Sequence, residues 1–140
     1  MNKFALVQGM PGTGKTKLIL KLAEYFYAQN KKVLITAFTN QALFNILERE
    51  IHDEKIIKAE HLVREGSRYG IAEGYEGLSS HGQKFESINE YKDYFSEKKV
   101  WIVTISSLYI QHIPEKFDVV ILDEASQCLE PTCLEALVKA

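Results

Sequence analysis

The run Gly9-Met10-Pro11-Gly12-Thr13-Gly14-Lys15-Thr16 constrains this chain more than any other feature, because Gly, four residues, then Gly-Lys-Thr is the pattern of a phosphate-cradling P-loop. The glycines let the backbone curl until successive N–H groups point inward at an anion, and the helix that follows adds its positive N-terminal end. Pro11, Gly12 and Thr13 complete the loop. Lys15 is placed to reach β- and γ-phosphates, and the Thr16 hydroxyl to ligate Mg²⁺. Such a loop needs a strand before it and a helix after it. Residues 4–8 form a short apolar run that reads as a buried strand. Leu18, Ile19, Leu22 and Phe26 recur at helical spacing, and Asn30-Lys31-Lys32 closes that helix with a turn and positive charge.

The same rhythm returns along the chain. Residues 33–37, Val-Leu-Ile-Thr-Ala, read as a second buried strand, and Thr39 or Asn40 can cap the helix whose apolar stripe is Leu43, Ile46 and Leu47. Residues 100–104 make a third apolar run and 119–122 a fourth, with a short helix expected over 106–111 and stopped by Pro114. This alternation implies an α/β fold with a parallel sheet, crossover helices and ligands at the carboxyl ends of the strands. Residues 52–96 interrupt it. The stretch 56–64 could hold a strand, but Gly66, Gly70, Gly74, Gly77 and Gly82 then punctuate a polar segment expected to be loops, and a helix is expected over 88–95. With 12 acidic and 9 basic side chains between residues 48 and 99, this segment reads as a solvated insertion rather than a basic patch. Arg64, Arg68 and Lys84 are candidate phosphate contacts and Tyr69, Tyr75 and Phe85 candidate stacking groups, with nothing in the sequence to choose among them.

The fourth apolar run delivers Asp123-Glu124 at its tip, a Walker B pattern. Its two carboxylates have different tasks: Asp123 holds Mg²⁺ together with Thr16, and Glu124 orients and deprotonates a water that attacks a γ-phosphate. The implied cofactors are ATP and Mg²⁺, and the catalytic pair is Glu124 and Lys15. A guanine-reading Asn-Lys-x-Asp element is not found in the sequence.

The net charge of −2 offers no overall basic field for nucleic acid, so any strand binding must use local contacts. No apolar run approaches the length of a membrane span, and no secretory leader is recognised at the N-terminus, which sets the expectation of a soluble intracellular protein. Cys128 and Cys133 match neither a disulfide framework nor a zinc pattern and are expected to be buried thiols. The four histidines are scattered, without metal-ligand spacing.

The wording of the motifs resembles one family. The P-loop, Thr39-Asn40-Gln41-Ala42 and Asp123-Glu124-Ala125-Ser126-Gln127 with Glu130-Pro131 look like the first RecA-like domain of a superfamily 1 helicase, of the group that includes the nonsense-mediated-decay RNA helicase and the DNA-replication helicase/nuclease. The resemblance implies an incomplete RecA-like P-loop NTPase fold over residues 1–140, from Walker A to just past Walker B, with the loop-rich insertion around 52–96. It also implies that Thr39, Asn40 and Thr104 contact a single strand of DNA or RNA, and that Gln127 links the nucleotide site to that strand. Further implied are association with the rest of a helicase chain, no membrane partner, and a nuclear rather than cytoplasmic location. One departure is Phe44-Asn45, where the family usually has Asp before the Asn. The family's third motif is not found, and the strand that carries it lies between the Walker A and Walker B strands. Residues 4–8 and 119–122 are therefore expected to flank a vacant slot, about 9 to 10 Å apart. Two other readings compete: an ATP-binding or partner-binding module without catalysis, and a ring-forming ATPase, against which Ala125-Ser126-Gln127 counts.

Overall fold

The computed structural model describes residues 4–140. Four parallel strands, β1 (Val33–Ala37), β2 (Leu62–Glu65), β3 (Val100–Thr104) and β4 (Val119–Asp123), form one sheet in the spatial order β2-β3-β1-β4. Val33 stands opposite Val100 and Val119, and Ala37 opposite Thr104 and Asp123, so the strands end level with one another at a single carboxyl edge.

Burial on both faces is what the continuous apolar runs require. Because side chains alternate along a strand, Val33, Ile35, Val100 and Ile102 point to one face, while Leu34, Trp101 and Val103 point to the other. Helices α1 (Lys15–Ala28) and α2 (Asn40–Arg49) cover the first face, and α3 (Ile88–Ser96) and α4 (Glu130–Leu137) the second. Leu43, Ile46 and Leu47 of α2 are buried as their spacing predicts. In α1 the buried positions are Ile19, Leu20, Ala23 and Glu24, so the inward face is rotated from the expected one and Leu18 is exposed.

Residues 4–8 differ most from expectation. They form no strand, and Phe4, Leu6 and Val7 are exposed by 85, 89 and 63%. Apolar character alone cannot make a strand: β1 is already paired on both sides, and 4–8 joins neither outer edge of the sheet. The two-sided slot therefore does not form, and no ladder joins 4–8 to β4.

Two further corrections concern the second half of the chain. The helix expected over 106–111 is only a 3₁₀ turn, Ile105–Ser107, followed by bends. Cys128 and Cys133, expected to be buried, are half-buried free thiols. Within residues 52–96 the helix expected over 88–95 forms as α3, β2 overlaps the end of the stretch that could hold a strand, and the remainder is short turns and irregular chain.

Candidate functional site

The P-loop has the backbone its glycines permit. Gly12 and Gly14 adopt φ of 77 and 88°, and Gly14 caps α1 with no side-chain acceptor and no acidic residue in the first turn. The first N–H groups of α1 therefore keep no side-chain partner and carry the positive end of the helix. At Gly9 a Cβ would lie 2.8 Å from Thr13 Oγ1 and 3.1 Å from Lys15 Cγ, so a larger residue would displace the side chains that close the loop. Lys15 Nζ donates to the Gly9 carbonyl at 2.7 Å, and Thr13 Oγ1 to the Met10 carbonyl at 2.6 Å. Space above Gly12 and Gly14 is open to 4 Å. Together these form a curled loop with a tethered ammonium and an uncapped helix start, which fits a polyphosphate.

Asp123 ends β4, directly across from Ala37. The Glu124 N–H donates to Asp123 Oδ1 at 2.9 Å, and Glu124 takes a left-handed conformation, φ 52°, that turns the chain sharply away from the strand. Both carboxylates are half-buried. Gln127 closes the following turn, its N–H on the Glu124 carbonyl at 2.9 Å, and its side chain is exposed. Among the described residues no hydrogen bond or ion pair joins Lys15 or Thr16 to Asp123 or Glu124. Thr16 instead lines an open cleft of about 540 Å³ with Asn45, Glu48, Arg49, His52 and Asp53.

The other flank of the carboxyl edge is densely bonded. Thr39 caps α2, its Oγ1 accepting from the Ala42 N–H at 3.2 Å, and the exposed Asn40 presents Oδ1 to Arg64 Nη2 at 2.7 Å. Arg64 is 3% exposed and also donates to the carbonyls of Glu65, Ile102 and Gly70, the last at 3.4 Å. Burial lowers its pKa to about 10, with Glu65 acting in the opposite direction. Glu65, 1% exposed, accepts from Ser80 N–H and Oγ and pairs with His112 Nε2 at 2.9 Å. Burial pushes this carboxyl up, but His112 and Ser80 outweigh it and hold it below the usual range. Thr104 is 5% exposed and donates to Ser107 Oγ at 3.0 Å, so its hydroxyl faces inward at the same edge as Thr39 and Asn40.

Arg64, a candidate phosphate contact in the sequence, is an internal clamp in the structure. His112, one of the scattered histidines, pairs with Glu65. The Glu65–His112 pair spans 47 residues, and no local pattern announces it.

The chain matches the family model described as AAA domain over residues 1–99 and 77–140. It is similar to the DNA replication ATP-dependent helicase/nucleases of Schizosaccharomyces pombe, 37% identical over 138 residues, and Saccharomyces cerevisiae, 32% over 140. Each match covers 96% of this chain and 9% of the relative. A third similar protein is the DNA polymerase alpha-associated DNA helicase A of Schizosaccharomyces pombe, 27% identical over 176 residues, covering 95% of this chain and 27% of that protein. The resemblance to superfamily 1 helicases drawn from the motifs agrees with all three relatives. No described helix is long and apolar enough to cross a membrane.

Proposed function

The chain belongs to the AAA-domain family, and on that premise we propose that it is the ATP-binding part of an ATP-dependent helicase or translocase. In this reading residues 1–140 are the Walker A to Walker B portion of a first RecA-like domain, with residues 52–96 as an insertion, and work with the rest of a helicase chain on single-stranded DNA or RNA. The names of the relatives, two of them DNA replication proteins, support DNA and a nuclear setting. The observation that carries the reading is the P-loop: an uncapped helix start, two left-handed glycines and a lysine folded onto the loop's own carbonyl.

Bound ATP would supply a phosphoanhydride whose cleavage releases free energy. The chain's own residues divide the remaining work. The N–H groups of Gly14 to Thr16 would bind phosphate oxygens, and Lys15 would exchange the Gly9 carbonyl for them. Thr16 and Asp123 would hold Mg²⁺. The Glu124 carboxylate orients a water and accepts its proton. Gln127, on the turn that Glu124 begins, couples this site to the strand surface at Thr39, Asn40 and Thr104. The 140 residues alone are expected to bind ATP with negligible turnover.

Calorimetric titration with Mg-ATP tests the assignment. Because charge-assisted bonds to phosphate contribute about 1.5 to 3 kcal/mol, Lys15→Ala should weaken binding roughly 10- to 100-fold, with unchanged circular dichroism. Equal affinity in variant and parent would remove the phosphate role.

A further inference from the structure

Cys128 and Cys133 are the only two cysteines of the chain, and local helix geometry brings them together. Leu129 is the N-cap of α4, so Cys128 stands just before the cap and Cys133 at the fourth helical position. Those two positions meet at a helix start, where apolar side chains often staple the incoming chain to the first turn. Here the staple is a pair of thiols. The Cys133 side chain lies against the Cys128 thiol, and both are half-buried and free.

The backbone holds the pair in place. The Ala125 carbonyl accepts from the Cys128 N–H at 3.2 Å and lies 3.9 Å from Cys133 Sγ, while the Cys133 N–H donates to the Leu129 carbonyl at 3.1 Å. Cys128 packs against the core on the α3–α4 face of the sheet, so it is the inner thiol and Cys133 the outer one. Burial and the neighbouring Cys133 push the Cys128 thiol up, which keeps it protonated until the outer sulfur has reacted. Among the described residues no group of three or more His, Cys, Asp or Glu side chains can hold a metal ion, so the pair does not belong to a zinc site.

We propose that Cys128 and Cys133 are a reversible oxidation site, closed to an intramolecular disulfide by a low-molecular-weight disulfide such as oxidised glutathione. The Cys133 thiolate attacks one sulfur of the oxidant and expels the other as a thiolate, which leaves a mixed disulfide on Cys133. Cys128 then gives its proton to solvent and attacks Cys133 Sγ, and the second thiolate departs. The two cysteines lose two protons and two electrons in all, and the oxidant is reduced to two thiols. A ring closed between residues 128 and 133 is short, so it constrains the unfolded chain little and acts locally. What it pins is the turn Ala125–Gln127, which follows the left-handed Glu124 and carries the exposed Gln127. In the reduced form this turn is held by single hydrogen bonds, the Gln127 N–H on the Glu124 carbonyl and the Cys128 N–H on that of Ala125. In the oxidised form it is tied covalently to α4. The site does not depend on the nucleotide reading above.

The test is a glutathione redox series on the 140-residue chain, quenched with an alkylating agent and read by intact mass. The parent should pass from two alkylated thiols to none with the loss of two hydrogens, as a monomer, and recover both thiols under dithiothreitol. Because one oxidised glutathione is exchanged for two reduced ones, diluting both about tenfold at a fixed ratio should raise the oxidised-to-reduced ratio of the protein by the same factor. A mixed disulfide would not respond to that dilution. Cys128→Ser should stop at one glutathione on Cys133, and Cys133→Ser should react about tenfold or more slowly, since its remaining thiol is the inner one. Amide exchange at residues 125–128 should slow about tenfold or more in the oxidised parent and return on reduction, while the double serine variant shows no response to oxidant. Stable glutathione adducts on both cysteines, a disulfide-linked dimer, or thiols that stay alkylatable across the series would overturn the oxidation site. Unchanged exchange at 125–128 in the oxidised chain would overturn the pinning of the turn.

Discussion

Every residue of β1 and β3 is buried, whereas all five residues of β4 are half-buried, although the three strands carry equally apolar sequences and lie side by side. The difference is one of neighbours. β1 sits between β3 and β4, and β3 between β2 and β1, while β4 has a ladder partner on one side only among the described residues. The polar groups follow the same division. Around β2 and β3, Arg64 is bonded to Asn40, Thr104 to Ser107 and Glu65 to His112. Around the P-loop and the tip of β4, the helix start and the side chains of Glu124 and Gln127 have no side-chain partner among the described residues. The β2-β3 flank is thus internally bonded, and the P-loop and β4 flank is left open.

Hydrogen exchange should show the largest contrast. Amides of Ile35 and Ile102 are buried within a ladder flanked on both sides and should exchange only on near-global unfolding, roughly two orders of magnitude or more slower than those of β4. Addition of Mg-ATP should slow exchange in residues 9–18 and narrow the gap at 119–123. Equal protection in β3 and β4 would break the comparison.

A smaller effect is expected from truncating core side chains. Ile102 is 1% exposed in the first core cluster, and Ile102→Ala should cost about 2 to 5 kcal/mol in urea unfolding, since the cavity left beneath two helices cannot collapse. Ile121 on β4 packs against the same cluster but is only partly buried, so Ile121→Ala should cost about half as much. Matching losses would mean that the open edge of β4 contributes as much to stability as the closed centre.

The same asymmetry explains how much the sequence disclosed. β1, β3 and β4 were legible because apolar runs buried on both faces need no other signal. Residues 4–8 carry the same signal and mislead, because a run's composition does not contain its ladder partner. The strand Leu62–Glu65 was legible only as a possibility, since Arg64 and Glu65 violate the apolar pattern and are admitted by bonds to Asn40, Ser80 and His112, far away in sequence. The P-loop and Asp123-Glu124 were readable because their chemistry is written in consecutive residues. Tyr69 was indistinguishable from Tyr75 and Phe85 until packing assigned partners to the other two.

The smallest effect separates two buried carboxyls by the sign of their pH dependence. Glu50, at the end of α2, is 1% exposed, and its Oε1 accepts from the N–H groups of Ile56 and Ile57 at 2.9 and 2.6 Å. Among the described residues its Oε2 has no donor, and neither has Oε1 of the buried Glu24 on α1, which faces it while Lys21 holds the other Glu24 oxygen and Glu54. Burial raises the Glu50 pKa, the charge of Glu24 adds to the rise, and the two N–H bonds only partly offset it. A group whose pKa is raised on folding contributes stability that is complete below its unfolded pKa and is lost as pH climbs through the folded value. Glu65, held low by His112 and Ser80, does the reverse and loses its contribution as pH falls. Glu50→Gln keeps an acceptor for Ile56 and Ile57 and offers Glu24 an N–H donor without a titrating proton. Urea midpoints measured upward from pH 4.5 should therefore decline less in Glu50→Gln than in the parent, the difference in slope never exceeding one proton, about 1.4 kcal/mol per pH unit. Glu65→Gln should instead flatten the loss of stability on acidification and lower the midpoint at neutral pH. Parallel curves for parent and Glu50→Gln would show that Glu50 stays ionised beside Glu24, with Lys21 neutralising both.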